Sequence, residues 1–237
     1  MSLKTSIILC TYNEANYIEK AISELEKNIP GVEIVIVDDC STDGTIEILK
    51  KLNQNNKYKI IYRKRSRSLA SAFVRGVIET TGEYIGWTDT NMSEVSSKFP
   101  TMIEELKSQN DLIVLSRYVQ GGGDRRILLR SLSSKYFNLF CQFILRSPIK
   151  DFTSSIFLMK RKILDEVTFI GYGHGEFFLE FLYNVHRKGF KIKEIPYVQI
   201  KDEDLGNSKS ASSIIKFFYL GLMYLLRIII TLIRRKN

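Results

Sequence analysis

The apolar positions of the chain change period several times, and each change marks an element. SIILC (residues 6–10) is a short apolar run and reads as a buried strand. After the polar TYNE, the residues Ile18, Ala21, Ile22 and Leu25 recur at helical spacing. Asn13 stands upstream as a candidate helix cap, and Pro30-Gly31 closes the helix. IVIVDDC (residues 34–40) is a β-branched run ending in two aspartates, the pattern of a parallel strand buried on both faces. STDGT follows, with Asp43 placed to cap a helix over IEILKKL. KIIYR (59–63), EYIGWTD (83–89) and DLIVLS (111–116) read as further strands. Helices fall between them: one capped by Ser68 and ended by Gly82, one over 100–108. This alternation predicts an α/β fold with a mostly parallel sheet and flanking helices, because parallel neighbours need crossover connections.

The second half changes character. SRYVQGGGDRR reads as a glycine-rich basic loop, and residues 127–146 as a long helix, apolar on most sides but carrying Arg130, Lys135 and Arg146. SSIFLMK (154–160) reads as a strand, GEFFLEFLYNVHRKG as a helix, KIKEIPYVQI as a strand and KDEDLGNSK as a loop. Residues 214–233 form a strongly apolar tail followed by Arg234-Arg235-Lys236. A spanning helix needs ~20 apolar residues; the 17 residues 217–233 carry one charge, Arg227. At ~100° per residue, Lys216, Arg227 and Arg234 fall within roughly 20° of one another, with Ser212, Ser213 and Thr231 on the same side. That stripe predicts an amphipathic helix lying in a membrane interface with its cations toward the headgroups. The expected organisation is one catalytic domain over 1–210, including an interface helix near 127–146, and a membrane-associated helix over 211–237.

Composition adds less. The 237 residues, 44% hydrophobic, suffice for one α/β domain with a small appendage. The net charge of +9 calls for an anionic partner. Nucleic acid fits poorly, since the basic residues lie in apolar helices rather than in an exposed stripe interleaved with stacking aromatics. Cys10, Cys40 and Cys141 are far apart, without a CxxC pair, and read as reduced thiols. Residues 1–5 run straight into a strand, which reads as the absence of a secretory leader.

The candidate chemistry lies at the strand tips. In a parallel sheet TYNE, Asp38-Asp39 and TDTN open on one edge, where ligands of open α/β sheets sit. Asp39, Asp89 and Asn91 can converge there. Oxygen donors two residues apart, Asp89 and Asn91, suit Mg²⁺ or Mn²⁺ bridging a diphosphate. Asp and Asn also commonly end strands and cap helices; three such tips facing basic loops favour the ligand reading. Neither GxGxxG nor GxxxxGK[ST] occurs, so a nucleotide would be held by aspartates, a cation and arginines. His174 and His186 read as loop and surface residues. Glu176 and Glu180 share a helix face.

SIILCTYNEANYIE, IVIVDDCSTDGT, SRYVQGGG, DFTSS (151–155), RKGFKIKEIPY and GNSK occur in the order of glycosyltransferase family 2. The chain resembles that family over nearly its whole length, and within it the polyprenol-phosphate (dolichol-phosphate) mannose synthases. The resemblance implies a GT-A, Rossmann-like fold and a GDP- or UDP-linked sugar donor held by Thr11, Tyr12, Glu14, Val37, Asp39, Asp89 and Thr90. It implies a divalent cation, Mg or Mn, on Asp89 and Asn91, and a polyprenyl phosphate whose phosphate meets Arg117, Arg126, Arg130 and Ser134, with Arg125 in the same basic loop. The implied catalytic set is Asp89, Asn91, Arg117 and Arg130. The reaction would invert the sugar at the cytoplasmic membrane face, on a peripheral or monotopic enzyme, with no nucleic acid involved. Three departures stand out: Asn91 replaces the family's second aspartate and is a weaker ligand for a hard cation, Glu203 replaces an arginine, and SLAS beside Arg65 and Arg67 replaces a glycine-rich loop. An anionic phosphate acceptor needs no base. The alternative, a polysaccharide or other non-lipid acceptor, would need Glu176 or Glu180 as one; a degenerate member would only bind the nucleotide sugar.

Overall fold

A computed structural model describes residues 4–64, 68–201 and 214–234, with side chains of the last segment described from residue 219. The expectations on Arg65, Arg67, Glu203, GNSK, Ser212, Ser213 and the side chain of Lys216 lie outside the described residues. In chain order the elements are β1 Thr5–Thr11, α1 Ile18–Asn28, β2 Glu33–Asp38, α2 Thr45–Leu52, β3 Lys59–Tyr62, α3 Leu69–Glu79 and β4 Tyr84–Trp87. A 3₁₀ segment Thr90–Lys98 leads into α4 Phe99–Lys107, then β5 Leu112–Ser116, β6 Gly123–Asp124, α5 Leu128–Leu145 and β7 Phe157–Lys160. A second 3₁₀ turn, Arg161–Asp165, precedes α6 Glu176–Arg187, β8 Ile192–Pro196, β9 Val198–Gln199 and α7 Ile214–Arg234.

Seven strands form one sheet in the order β3-β2-β1-β4-β7-β5-β8. All neighbours are parallel except β7, which runs antiparallel between β4 and β5. The mostly parallel GT-A-like sheet is as expected; the insertion of β7 was not legible, because an apolar run does not state its direction. Gly86 of β4 lies where the neighbouring strands close in. A Cβ there would stand 2.9 Å from the Phe157 carbonyl oxygen of β7, so a larger residue would force the backbone to shift. Alternation along β1 divides the core: Ile8 joins Trp87, Phe73, Phe157 and Phe177 under α3 and α6, while Ile7 and Leu9 join Phe99, Ile18 and Ile22 under α1 and α4. Burial on both faces is why these strands read as unbroken apolar runs.

Local expectations were corrected in several places. Asp43 is not the cap residue of α2, which is Gly44. Asn13 does not cap α1, which starts at Ile18; it takes a positive φ of 55° and its Oδ1 accepts the Thr42 N–H at 2.8 Å. Part of the glycine-rich loop forms β6, which pairs with β9, so the predicted strand KIKEIPYVQI is two strands in two sheets. The last correction concerns α7. Arg227 faces inward, buried against α6, and exposed Arg234 reaches the same Glu180, while the apolar side chains Leu222, Leu225, Ile229, Ile230 and Ile233 are exposed. The physical reason is the buried Glu176 and Glu180 of α6, which give the guanidinium carboxylate partners inside the fold. Among the described residues no helix is long and apolar enough to cross a membrane.

Candidate active site

The site is built where β1, β2, β3 and β4 end. Of the Asp38-Asp39 pair, Asp38 is structural. It is fully buried, and its carboxylate accepts bonds from Thr11 Oγ1 at 3.0 Å, Ser41 N at 3.0 Å and Ser41 Oγ at 2.5 Å. These bonds fold the STDGT turn back onto β1. Asp43 completes the turn, accepting from Thr45 N at 3.1 Å and Ala15 N at 3.0 Å. Asp39 points the other way, where Arg63 grips it bidentately, Nε to Oδ1 at 2.5 Å and Nη2 to Oδ2 at 2.6 Å. Arg63 also donates to Ser71 Oγ at 2.8 Å and to the Ser68 carbonyl at 3.1 Å, so the Asp39 carboxylate is fixed from the start of α3. Sequence reasoning missed Arg63. Its signal was present: an arginine at the tip of a parallel strand beside the aspartate tip.

Asp89 lies two residues after the end of β4. Burial, then the negative charge of Glu14, pushes its carboxyl pKa up to about 6. The Cys10 thiol is raised by burial, then by Asp39 and Asp89 together, which places both aspartates around the end of β1. Asp39, Asp89 and Glu14 thus gather around the end of β1, and Tyr12 and Asn91 are half-buried. Val37 is a correction. Its side chain has no exposed surface and packs toward α3 at Gly76, so it has no face to offer a nucleotide. Thr11 and Thr90 are nearly as buried.

Among the described residues no three His, Cys, Asp or Glu side chains are grouped to hold a metal. The donor set still fits a cation completed by ligand oxygens. Asp89 is a carboxylate whose surroundings disfavour its negative charge, and Asn91 offers a neutral hard oxygen. A pH dependence follows. A raised acid pKa means that the folded protein, without cation, loses stability as pH rises from about 4 to about 6 and Asp89 ionises. Below about pH 6 a cation must displace the proton. The melting-temperature gain from added Mn²⁺ and a nucleoside diphosphate is therefore expected to grow from pH 5 to pH 7. A pH-independent gain would remove Asp89 from the cation site.

The second cluster lies after β5. Arg117 is buried and its fork is engaged: Nε to Asp151 Oδ2 at 2.8 Å, Nη2 to Asp151 Oδ1 at 2.7 Å and to Thr153 Oγ1 at 2.5 Å. Its backbone N–H also donates to Asp151 Oδ2 at 3.0 Å. Burial opposes the charge, yet Asp151 outweighs burial and holds the guanidinium well above the usual arginine range. The expectation that Arg117 faces a phosphate is thus corrected: it joins the SRY loop to the DFTSS segment. Gly122 belongs to the same joint, since a Cβ there would stand 2.6 Å from the Arg117 carbonyl oxygen. Arg126 pairs with Asp124 at 2.6 Å. Ser134 lies 3.3 Å from Thr153 Oγ1. Arg125 is exposed, and Arg126 and Arg130, the latter on the first turn of α5, are half-buried.

Glu176 and Glu180 are buried beneath the site. Glu180 accepts from Arg227 at 3.1 Å and from Arg234 at 3.0 Å; Glu176 accepts the His174 N–H at 3.0 Å and lies 3.7 Å from Arg227. Both carboxylates are enclosed and already engaged by these donors, so neither presents an open oxygen to an acceptor hydroxyl.

The sequence profile of glycosyl transferase family 2 matches residues 6–168, well over half the chain and inclusive of every strand tip described above. The chain belongs to glycosyl transferase family 2. It is 30% identical over 200 residues to a dolichol-phosphate mannosyltransferase of Pyrococcus furiosus, an alignment covering 82% of this chain and 56% of that protein. It is 25% identical over 224 residues to a polyprenol monophosphomannose synthase of Mycolicibacterium smegmatis, covering 90% and 83%. Among solved structures, glucosyl-3-phosphoglycerate synthase from Mycobacterium tuberculosis with UDP superposes with a TM-score of 0.71 at 15% identity, covering 97% of this chain and 80% of that one. A mannosyltransferase from Pyrobaculum calidifontis with GDP-Man and Mn²⁺ gives 0.61 at 17%, covering 85% and 57%. At these identities the two structures establish the family 2 fold alone.

Proposed function

We propose that this chain moves a hexose, with inversion, from a GDP- or UDP-linked sugar to a polyprenyl phosphate at the cytoplasmic face of a membrane. The names of the two curated relatives support the acceptor class. The observation that carries the reading is the surface beside the site. Helix α5 exposes Leu128, Leu132, Tyr136, Leu139, Phe140 and Phe143, and α7 exposes the apolar row named above. Phe137 meets Tyr224 edge-on at 5.4 Å, so α5 and α7 touch through these two rings. Exposed apolar faces of this kind, on a chain whose Arg125 and Lys135 are also exposed, suit the boundary of an anionic bilayer.

In this reading the acceptor's phosphate oxygen attacks the anomeric carbon. The new C–O bond forms as the bond to the nucleoside diphosphate breaks, and the leaving diphosphate takes the electron pair. A phosphate oxygen is already anionic, so no base is required, and the buried, paired state of Glu176 and Glu180 favours this over a hydroxyl acceptor. Asp39, held by Arg63, would orient the nucleoside. Asp89 and Asn91 would hold a divalent cation, which when bound neutralises charge on the leaving diphosphate. Arg125, Arg126 and Arg130, with Ser134, would receive the acceptor phosphate; Arg117 would hold their loop in place.

Flotation with phosphatidylglycerol vesicles tests the membrane part. The wild type is expected to float, and Leu139→Glu/Phe143→Glu to stay at the bottom with an unchanged melting temperature, since both side chains are exposed. Flotation of the folded double variant would overturn the assignment of this face.

A further inference from the structure

Residue Arg227 lies in the last helix, yet a continuous set of contacts joins it to the nucleotide edge. Its Nη2 donates to the Tyr172 carbonyl at 2.7 Å, and its Nη1 to Glu180 at 3.1 Å. Glu176, 3.7 Å from the same guanidinium, accepts the His174 N–H. Arg227 thus fixes residues on both sides of Gly173. The Gly173 carbonyl in turn accepts Ser68 Oγ at 3.1 Å and Ala70 N at 3.2 Å at the start of α3. The Ser68 carbonyl accepts Arg63 Nη2, and Arg63 holds Asp39. Gly173 has φ +112°, and a Cβ on it would stand 2.1 Å from Glu176 Oε1, so the turn admits only glycine. A second contact reaches the other acidic tip. Phe177, one residue after Glu176, stacks on Trp87 at 5.8 Å, two residues before Asp89.

We propose that Arg227 is a positioning residue for the donor site: through residues 172–174 and Ser68 it sets the Arg63–Asp39 pair on which the nucleoside would lie. The inference rests on the functional reading above. It assigns α7 a role in donor binding separate from any contact with lipid. No proton or bond changes hands in this role; the guanidinium neutralises two carboxylates and holds a turn whose carbonyl the α3 start needs. Loss of the link displaces Asp39 relative to the bound nucleoside, which weakens ground-state binding rather than the transition state alone.

Donor kinetics and calorimetry with the nucleoside diphosphate test it on the full chain. Ser68→Ala removes the side-chain bond of the two that join Gly173 to the start of α3, without touching a buried charge. Arg227→Met in a Glu176→Gln/Glu180→Gln background removes the cation without leaving unpaired carboxylates; Arg227→Lys is the conservative variant. The expected result is a donor KM raised about tenfold, with kcat within about twofold, in Ser68→Ala and in the triple variant, and partial recovery in Arg227→Lys. A merely structural role would instead lower the active fraction, and hence kcat, at an unchanged KM. Ser68→Ala, folded and with a donor KM within about twofold of wild type, overturns the proposal, whether or not the triple variant folds. Wild-type protein that binds neither UDP nor GDP overturns the functional reading itself, a distinct outcome.

Discussion

Asp89→Ala is expected to cut turnover by roughly three orders of magnitude, the scale of losing several kcal/mol of stabilisation at the leaving diphosphate. The same substitution is expected to leave the metal-free fold at least as stable at pH 7. Burial and Glu14 raise the Asp89 pKa to about 6, so the ionised carboxylate opposes folding at neutral pH. The two effects have opposite signs and separate a site role from a structural one. Single-turnover rates at saturating Mn²⁺, with melting temperatures in chelator, check both. A variant that retains a tenth of the rate, or melts well below wild type without metal, contradicts the assignment. Asn91→Asp is expected to tighten Mn²⁺ binding, because a second carboxylate replaces a neutral amide oxygen.

Arg117→Ala is expected to act first on stability. The guanidinium is buried against Asp151, and removing it leaves that carboxylate enclosed without its cation and its two guanidinium donors. Breaking a buried pair in this way costs about 3–5 kcal/mol. Urea unfolding reads it directly. Arg117→Lys is expected to recover little, since an ammonium cannot make the paired Nε and Nη2 bonds. In an Asp151→Asn background the cost of Arg117→Ala should shrink by more than 1 kcal/mol, the signature of coupling between neighbours. Should Arg117→Ala be as stable as wild type yet nearly inactive, Arg117 would instead be a phosphate ligand, as its motif alone suggested.

The particular residues explain what the sequence could reveal. The strands of the sheet were legible because burial on both faces leaves β-branched runs such as IVIV and LIVL. The acidic tips were legible because parallel strands end at one edge, which brings Asp39, Asp89 and Glu14 together without further information. Direction and pairing were not legible: β7 is as apolar as its neighbours, and only contacts distant in sequence set it antiparallel beside Gly86. Charged partners were also hidden. The motif marked Arg117 as a cation near phosphate, but Asp151, 34 residues later, claims its fork. Helical angle correctly put Arg227 and Arg234 on one stripe. It could not say whether that stripe meets water, lipid or buried glutamates, and Glu176 and Glu180 lie on a helix that periodicity reads only as amphipathic.

The most direct test of the account is transfer itself. The full chain is incubated with Mn²⁺ and a panel of radiolabelled GDP- and UDP-hexoses on vesicles containing polyprenyl phosphate, and the organic phase is analysed by mass and by anomeric NMR. The expected result is one hexosyl phosphoprenol, of anomeric configuration opposite to the donor, formed only with divalent cation and lost in Asp89→Ala. Label that stays in the aqueous phase for every donor, or a lipid product of retained configuration, would contradict the account.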